Sequence, residues 1–584
     1  MNMKRIVKIY RKLVLVATVT IATLATSCTD YLTIIPPDVV VHENFWYSKD
    51  EVNGMLATSY IKLISSDAIQ KAIIWGELRS DNMTYPASYN KDIKYIVEAS
   101  ILDENNFCNW SVFYEAINNA NLVIEYAPLV LDRDPDFSEG DLQVVTGEML
   151  AMRALCHFYL VRTFRDIPMA LVPAVNDSEL PEYKQVHPLE ALNYIMEDLD
   201  RAENMVMPSG NFSRKEHNYG RITKNAVLAM KADVNLWRAA FATYYEGESE
   251  LVKPGDVQNY YDLCVQNCQD VINNMDRELE KEWEETNRPV VRYPYNLLQN
   301  EGELEDREDD HISSVYNQIF GFQNSRESIL ELQIKDDNST NGANKGIVNM
   351  YGTEGRSGMV VVPAGFLNKN YTQDDLRAFT YTNAQSLTGA GNSSSNSGSS
   401  SDKLDIIIAK YAAKESPATN YRTSDEFDAN WIIYRKTDVM LMMAEAMVAR
   451  PSSTTEDYTE AFNIVNVINT RSRMDTTNII KPLQLNSYLT KDASLDLVMK
   501  ERLLELSYEG KRWYDLVRKA LREKSTNGIL FVADKLSSNS SVVKTKMATI
   551  DGLFFPIYIN ELRYNKNLKQ NPAYKDEESS TEMN

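Results

Sequence analysis

EMLAMRALCHFYLVRTF, residues 148–164, sets Met152, Leu155, Cys156, Tyr159, Leu160 and Thr163 on one stripe at helical spacing. Ala151 and Ala154 leave room beside that stripe for a neighbouring helix. Val227, Met230, Val234, Trp237 and Phe241 repeat the pattern, and similar spacing covers about 50–65, 110–130, 187–205, 258–275, 436–449, 457–471, 494–520 and 559–566. Strict alternation is confined to short pieces, so the chain is expected to be mainly α. Helices of this length in consecutive pairs, with small residues at their contacts, predict a degenerate tetratricopeptide-like helical-pair scaffold, although no clean repeat of about 34 residues survives.

The stretch 277–430 differs. Gly, Asn, Pro and Ser are frequent there, helical periodicity fades, and short apolar strands are expected at 328–334 and 359–362. It reads as an irregular, loop-rich subdomain. LTGAGNSSSNSGSSSD (387–402) has the composition of a flexible surface loop, and the acidic run 301–310 that of a solvated one. The expected division is a leader at 1–27, a helical region at 28–276, the loop-rich region at 277–430 and a second helical region at 431–584.

Lys4, Arg5, Lys8, Arg11 and Lys12 precede an uncharged run, LVLVATVTIATLA (13–25), which has the length of a signal-peptide core and is too short to span a bilayer comfortably. It ends in Ala25, Thr26, Ser27 and Cys28, which resembles a lipobox with Ala25 where Leu is commoner. Cys28 is therefore the expected lipidation site, and the segment with Thr29, Asp30, Pro36 and Pro37 a polar tether to a folded body.

Hydrophobic residues at 43% and charged residues at 25% are ordinary globular composition. The net charge of -22 becomes -27 once the five basic residues of the leader are removed, which argues against nucleic acid as a partner. The four remaining cysteines, Cys108, Cys156, Cys264 and Cys268, imply no disulfide framework, and the last three sit among apolar neighbours in helical patterns. The five histidines fall in no metal-ligand spacing, and Cys264 and Cys268 lack a second pair. Asp134, Asp136 and Ser138 begin like a calcium loop, but Glu139 and Val145 stand where Gly and the bidentate acid belong. The sequence contains no nucleophile elbow, phosphate loop or dinucleotide fingerprint, and with these spacings no metal site is expected. A glycosidase needs only two carboxylates at suitable separation, which 83 acidic residues keep open.

Several ordered segments resemble the SusD/RagB family. IPPDVVVHENFWYSKDEVNGMLATSY (35–60) has that family's Pro turn, aromatic pair and first helix. EMLAMRALCHFYLVRTFRDIPMA is like its long Ala-rich helix and following turn, with Arg165 in place of the usual Gly. GRITKNAVLAMKADVNLWRA (220–239), WIIYRKTDVMLMMAEAM (431–447) followed by Asn469, Arg471 and Arg473, ERLLELSYEGKRWYDLVRK (501–519), and PIYINELRYNKNLKQNPAY (556–574) follow in the family's order, the last with Ala573 where Gly is usual. The Glu and Arg residues of 501–519 read physically as ion pairs between packed helices rather than catalytic acids.

The resemblance implies a lipid-anchored protein at the outer-membrane surface that lies as a lid on a SusC-like TonB-dependent transporter, traps a glycan and catalyses nothing. Its helices would face the transporter and its loops hold ligand. Sugar recognition needs aromatic faces beside amide, carboxylate or Arg groups. The loop GELRSDNMTYPASYN (76–90), where glycan-binding relatives present such groups, offers Asp81, Asn82, Tyr85 and Tyr89; NMYGTEGR (349–356) offers Asn349, Tyr351 and Arg356. An oligopeptide-capturing lid and a lipid-anchored glycoside hydrolase are the alternatives.

Overall fold

A computed structural model describes residues 45–175, 183–247, 250–286, 294–300, 314–335, 345–353, 356–384, 387, 405–414, 422–423, 425–474, 481–536 and 538–574. The leader, Cys28, the tether, the acidic run 301–310 and all of the 387–402 loop except Leu387 lie outside them. The described residues from Ser48 onward form one compact unit.

The first half is a run of helices: α1 (Lys49–Ile64), α2 (Ser66–Ile73), α3 (Lys91–Val97), α4 (Ser111–Tyr126), α5 (Glu139–Phe164), α6 (Pro188–Glu203), α7 (Lys215–Gly220), α8 (Lys224–Tyr244) and α9 (Asp256–Thr286). Side chains written into the sequence start them. Ser48 accepts from the Glu51 N–H while the Glu51 carboxylate accepts from the Ser48 N–H, and Ser138 and Asp141 do the same for α5. The middle of the chain contributes short pieces: α10 (Gly346–Tyr351), α11 (Phe366–Asn370) and α12 (Arg377–Thr380). The C-terminal part returns to helices: α13 (Lys436–Ala449), α14 (Thr455–Arg471), α15 (Lys491–Leu506), α16 (Arg512–Glu523), α17 (Ser540–Lys546) and α18 (Ile559–Tyr564).

Packing proceeds from neighbour to neighbour: α1 on α4, α4 on α5, α5 on α6, α6 on α8, α8 on α9, α9 on α13, and α13 on α14 and α15, with α16 folded back on α8. This is the mainly α stack of helical pairs that the periodicity predicts. α5 is its centre. Every residue from Gly147 to Phe164 is buried, so the expected stripe is instead a helix covered all round, long and apolar enough to cross a membrane but enclosed by its own fold. All four described cysteines are buried free thiols.

Strands are few and short. β1 (Ile167–Pro168) pairs with β2 (Gln185–Val186), β3 (Ser328–Leu332) with β6 (Trp431–Arg435), and β4 (Gly352–Thr353) with β5 (Arg356–Ser357), each antiparallel. Pairing of β3 with β6 stitches the loop-rich stretch to the start of α13. Two expectations are corrected. The segment 359–362 supplies only a bridge from Val361 to Thr84 instead of a strand. The helical run expected over 494–520 breaks into α15 and α16 at residues 507–511, where Tyr508 (φ 69°) and Gly510 (φ 70°) are left-handed.

Candidate ligand-binding site

Both candidate loops are built on that helix break. α2 runs into a wide π-turn, Ile74–Leu78, which carries Gly76 against the backbone of Gly510 so closely that a β-carbon there would overlap the Gly510 carbonyl oxygen. The next residue, Glu77, is fully buried. Its carboxylate accepts from the N–H groups of Tyr508 (2.8 Å), Lys511 (2.8 Å) and Arg512 (3.2 Å), and from the Asn82 amide. It thus caps α16 from another part of the chain. Burial raises the pKa of Glu77, and the bonds from Asn82, Tyr508, Lys511 and Arg512 pull it back only in part.

The rest of the turn is tied down residue by residue. Arg79 donates to the carbonyls of Leu553 (2.7 Å) and Gly552 (2.6 Å) and lies 4.7 Å over the Trp513 ring. The Lys535 ammonium donates to the carbonyls of Leu78 (2.9 Å), Ser80 and Met83 (2.7 Å). Asp81 pairs with Arg512 at 3.0 Å. Asn82 is 0% exposed, and its carbonyl accepts from the Ser80 hydroxyl at 2.6 Å. Asp81 and Asn82, two of the expected contacts, are therefore engaged inside the protein.

Thr84 and Val361 exchange both backbone bonds, at 2.9 and 2.8 Å, which fixes the first loop to the second. Beyond that bridge the side chains turn outward. Tyr85 and Tyr89 meet edge to face with ring centres 5.4 Å apart, and Tyr89 is 47% exposed. The Tyr85 hydroxyl donates to Glu98 at 2.9 Å, and burial followed by that carboxylate pushes its pKa up to about 12. The Lys94 ammonium sits 4.6 Å over the Tyr89 ring.

In the second loop Asn349 is exposed, and its backbone carbonyl accepts from the Met359 N–H at 2.9 Å. Tyr351 is 2% exposed; its hydroxyl donates to the Tyr508 carbonyl at 2.8 Å and its ring stacks on Tyr411, which stacks on Trp431. Arg356 pairs through its backbone with Thr353. The structure thus brings the two loops together and sorts their residues: Tyr85, Tyr89 and Asn349 toward solvent, Asp81, Asn82 and Tyr351 into the base. Sequence reasoning missed Glu77, Arg79 and Lys535, which hold that base. Among the described residues no three His, Cys, Asp or Glu side chains converge to hold a metal ion.

The arrangement provides two joined aromatic faces with the Glu98 carboxylate and the Lys94 ammonium beside them, on a pre-formed support. Such a surface can stack an apolar ring face and satisfy hydroxyl groups around it.

Comparison with known proteins agrees across sequence and fold. Residues 300–574 match the profile of the SusD family, and residues 36–236 match a profile described as starch-binding associating with outer membrane. SusD-like protein P38 of Formosa agariphila is 24% identical over 568 residues, covering 94% of this chain and 96% of that one. SusD-like protein P2 of the same organism is 26% identical over 430 residues, covering 71% and 72%. Among solved structures, a SusD homolog from Bacteroides thetaiotaomicron superposes with a TM-score of 0.65 at 19% identity, over 91% of this chain and 98% of that one. Bacteroides fragilis NanU superposes at 0.61 and 19%, over 93% and 100%. The two profiles together span most of the chain, and SusD-like protein P38 matches 94% of it in sequence: the chain belongs to the SusD/RagB family.

Proposed function

We propose that this protein is a surface lipoprotein, anchored to the outer membrane through Cys28, that captures an oligo- or polysaccharide and delivers it to a SusC-like TonB-dependent transporter. Members of this family are binding proteins rather than enzymes, and the reading assigns the chain no chemistry and no cofactor. The helical regions 28–276 and 431–584 would meet the transporter and the loop-rich region 277–430 would share in holding ligand.

The observation that carries the ligand class is the Tyr85–Tyr89 pair, half in solvent above a base locked by Glu77, Arg79 and Lys535. Two rings fixed at 66° offer faces in two directions, which suits successive sugar rings of a chain better than one flat ligand. Because the base is already ordered, little conformational entropy is lost when ligand arrives. Asn349 is exposed on the loop joined to this one at Thr84, and the reading has it offer an amide to the same ligand.

Calorimetric titration of the protein with plant and host polysaccharides, with product analysis of each mixture, tests the reading. Binding without product is expected, weakened by about fivefold in Tyr89→Ala, since one aromatic contact contributes about 1 kcal/mol. Released sugar would turn the reading toward a glycoside hydrolase. Affinity for oligopeptides in place of glycans would turn it toward a peptide-capturing lid.

A further inference from the structure

A groove of about 660 Å³ lies between α4, the segment 168–174 and α18, within the usual size range of ligand sites, and shares no residue with the Tyr85–Tyr89 surface. One wall is unusually well fixed. The Asn118 amide donates to the Ala174 carbonyl (3.0 Å) and accepts from its N–H (2.7 Å), Asn121 donates to the carbonyls of Ala170 (3.0 Å) and Val172 (3.1 Å), and the Tyr114 hydroxyl donates to Pro168 (2.8 Å). Trp110 and Tyr114 stand edge to face at 5.5 Å along the groove. At the rim Tyr564 is 83% exposed and Val172 56% exposed, so two large apolar side chains are left in water beside a cavity they do not fill.

Most of the polar groups are amides and carboxylates. The Asn119 side-chain nitrogen is buried with no acceptor in the protein. The Tyr183 hydroxyl lies near the Val172 N–H, yet its own proton also has no acceptor. Glu115 and Glu561 complete the lining, and the Lys62 ammonium is occupied by Glu115 at 2.6 Å. With two carboxylates against one cation, an anionic ligand is disfavoured. Exposed ring, aromatic wall, unmet donors and carboxylate acceptors together match an uncharged, hydroxyl-rich ring.

We propose that this groove is a second carbohydrate subsite, for neutral sugar residues, distinct from the one at Tyr85 and Tyr89. Only the ligand class rests on the reading above; the site stands on its own geometry. A long chain that reached both sites would be held by avidity, so polymer would bind tighter than a short oligosaccharide by roughly a hundredfold.

The test uses the full-length protein and variants Tyr564→Ala, Asn119→Ala and Tyr85→Ala/Tyr89→Ala, titrated with starch, xylan and galactan and with their short oligosaccharides, with hydrogen exchange read over 110–121 and 561–568. The expected result is residual oligosaccharide binding in Tyr85→Ala/Tyr89→Ala, with protection over those two segments, that Tyr564→Ala removes. In the otherwise native protein, Tyr564→Ala is expected to weaken polymer binding by about tenfold or more while leaving one oligosaccharide site. If Tyr85→Ala/Tyr89→Ala abolishes all binding that the native protein shows, the second subsite is overturned and capture at the first stands. If binding ignores that double variant and disappears with Tyr564→Ala, the groove stands and the first location is overturned. No binding of any sugar by the native protein overturns both.

Discussion

Arg165 holds φ 68° and ψ −73° where α5 ends, and the Asp166 N–H donates to the Phe164 carbonyl at 3.0 Å, which closes a three-residue γ-turn of the rare, strained hand. Glycine adopts this backbone conformation at little cost, whereas a side chain at position 165 is strained. This chain keeps the turn and compensates it with ion pairs from the Arg165 guanidinium to Asp166 (2.6 Å) and to Asp551. Arg165→Ala loses the pairs and keeps the strain, whereas Arg165→Gly loses the pairs and relieves it. The Gly variant is expected to be the more stable of the two by about 1 kcal/mol in urea unfolding, and equal midpoints would refute the strain. The same scale shows what a sequence can and cannot display about the site. Residue types marked two separate candidate loops, one with Asp81, Asn82, Tyr85 and Tyr89 and the other with Asn349, Tyr351 and Arg356, but not that the two adjoin through Thr84 and Val361. Which side chains reach solvent was not readable either, because Tyr351 is drawn inward by the Tyr508 carbonyl, 157 positions away, and Asn82 by Glu77, whose carboxylate is itself turned inward by the distant N–H groups of Tyr508, Lys511 and Arg512.

The break between α15 and α16 is the element on which the site depends, and the apolar spacing of 494–520 conceals it because both helices present apolar residues at nearly continuous intervals. A signal was present in Gly510, which interrupts the run, but its partner Gly76 lies 434 positions earlier and no local rule connects them. Glycine chemistry now separates two substitutions that look alike in sequence. Gly76→Ala drives a β-carbon into the Gly510 carbonyl and is expected to destabilise by about 3 kcal/mol and to weaken glycan binding with it. Gly54→Ala, inside α1 with nothing within 4 Å of the new methyl, is expected to stabilise by roughly 0.5–1 kcal/mol. Thermal unfolding of both variants checks the pair, and a shift of the same sign in each would contradict the close approach. Lys535→Met belongs to this scale too. It leaves three carbonyls of the 78–83 turn without their donor and is expected to cost about 2 kcal/mol, with hydrogen exchange over 76–90 rising more than elsewhere.

Across the whole molecule the helical stack and the loop-rich stretch are joined through buried charge. Glu505 of α15 accepts from Arg435 of β6 (2.7 Å), Arg471 of α14 (2.9 Å) and Arg377 of α12 (3.1 Å), while Glu509 accepts from Arg435 (2.7 Å) and from Lys410 (2.6 Å). The pairing of these acids with arginines was legible from their helical spacing; that Arg377 and Lys410 of the irregular region complete the set was not, since nothing local marks them. Burial alone would raise the pKa of Glu505, but Arg435, Arg471 and Arg377 override it and hold the carboxyl well below its ordinary 4.5. A depressed carboxylate stabilises the fold above its unfolded pKa, and that contribution is lost as pH falls from about 4.5 toward the folded value. Glu77, Glu148, Glu331 and Glu501 work in the opposite direction: burial raises them despite their partners, so their contribution is present below about 4.5 and declines as pH rises through their folded values. The two sets act in opposite directions on the native protein's pH profile. The difference between native protein and Glu505→Gln isolates one carboxylate. That difference is expected to be about 3–5 kcal/mol near pH 7, because three guanidinium groups lose a buried counter-charge, and to shrink by up to about 1.4 kcal/mol per pH unit below pH 4.5. Urea midpoints of both proteins from pH 7 to pH 3 measure it, and a difference that stays constant down to pH 3 would mean that Glu505 does not carry the charge linking the helices to the loops.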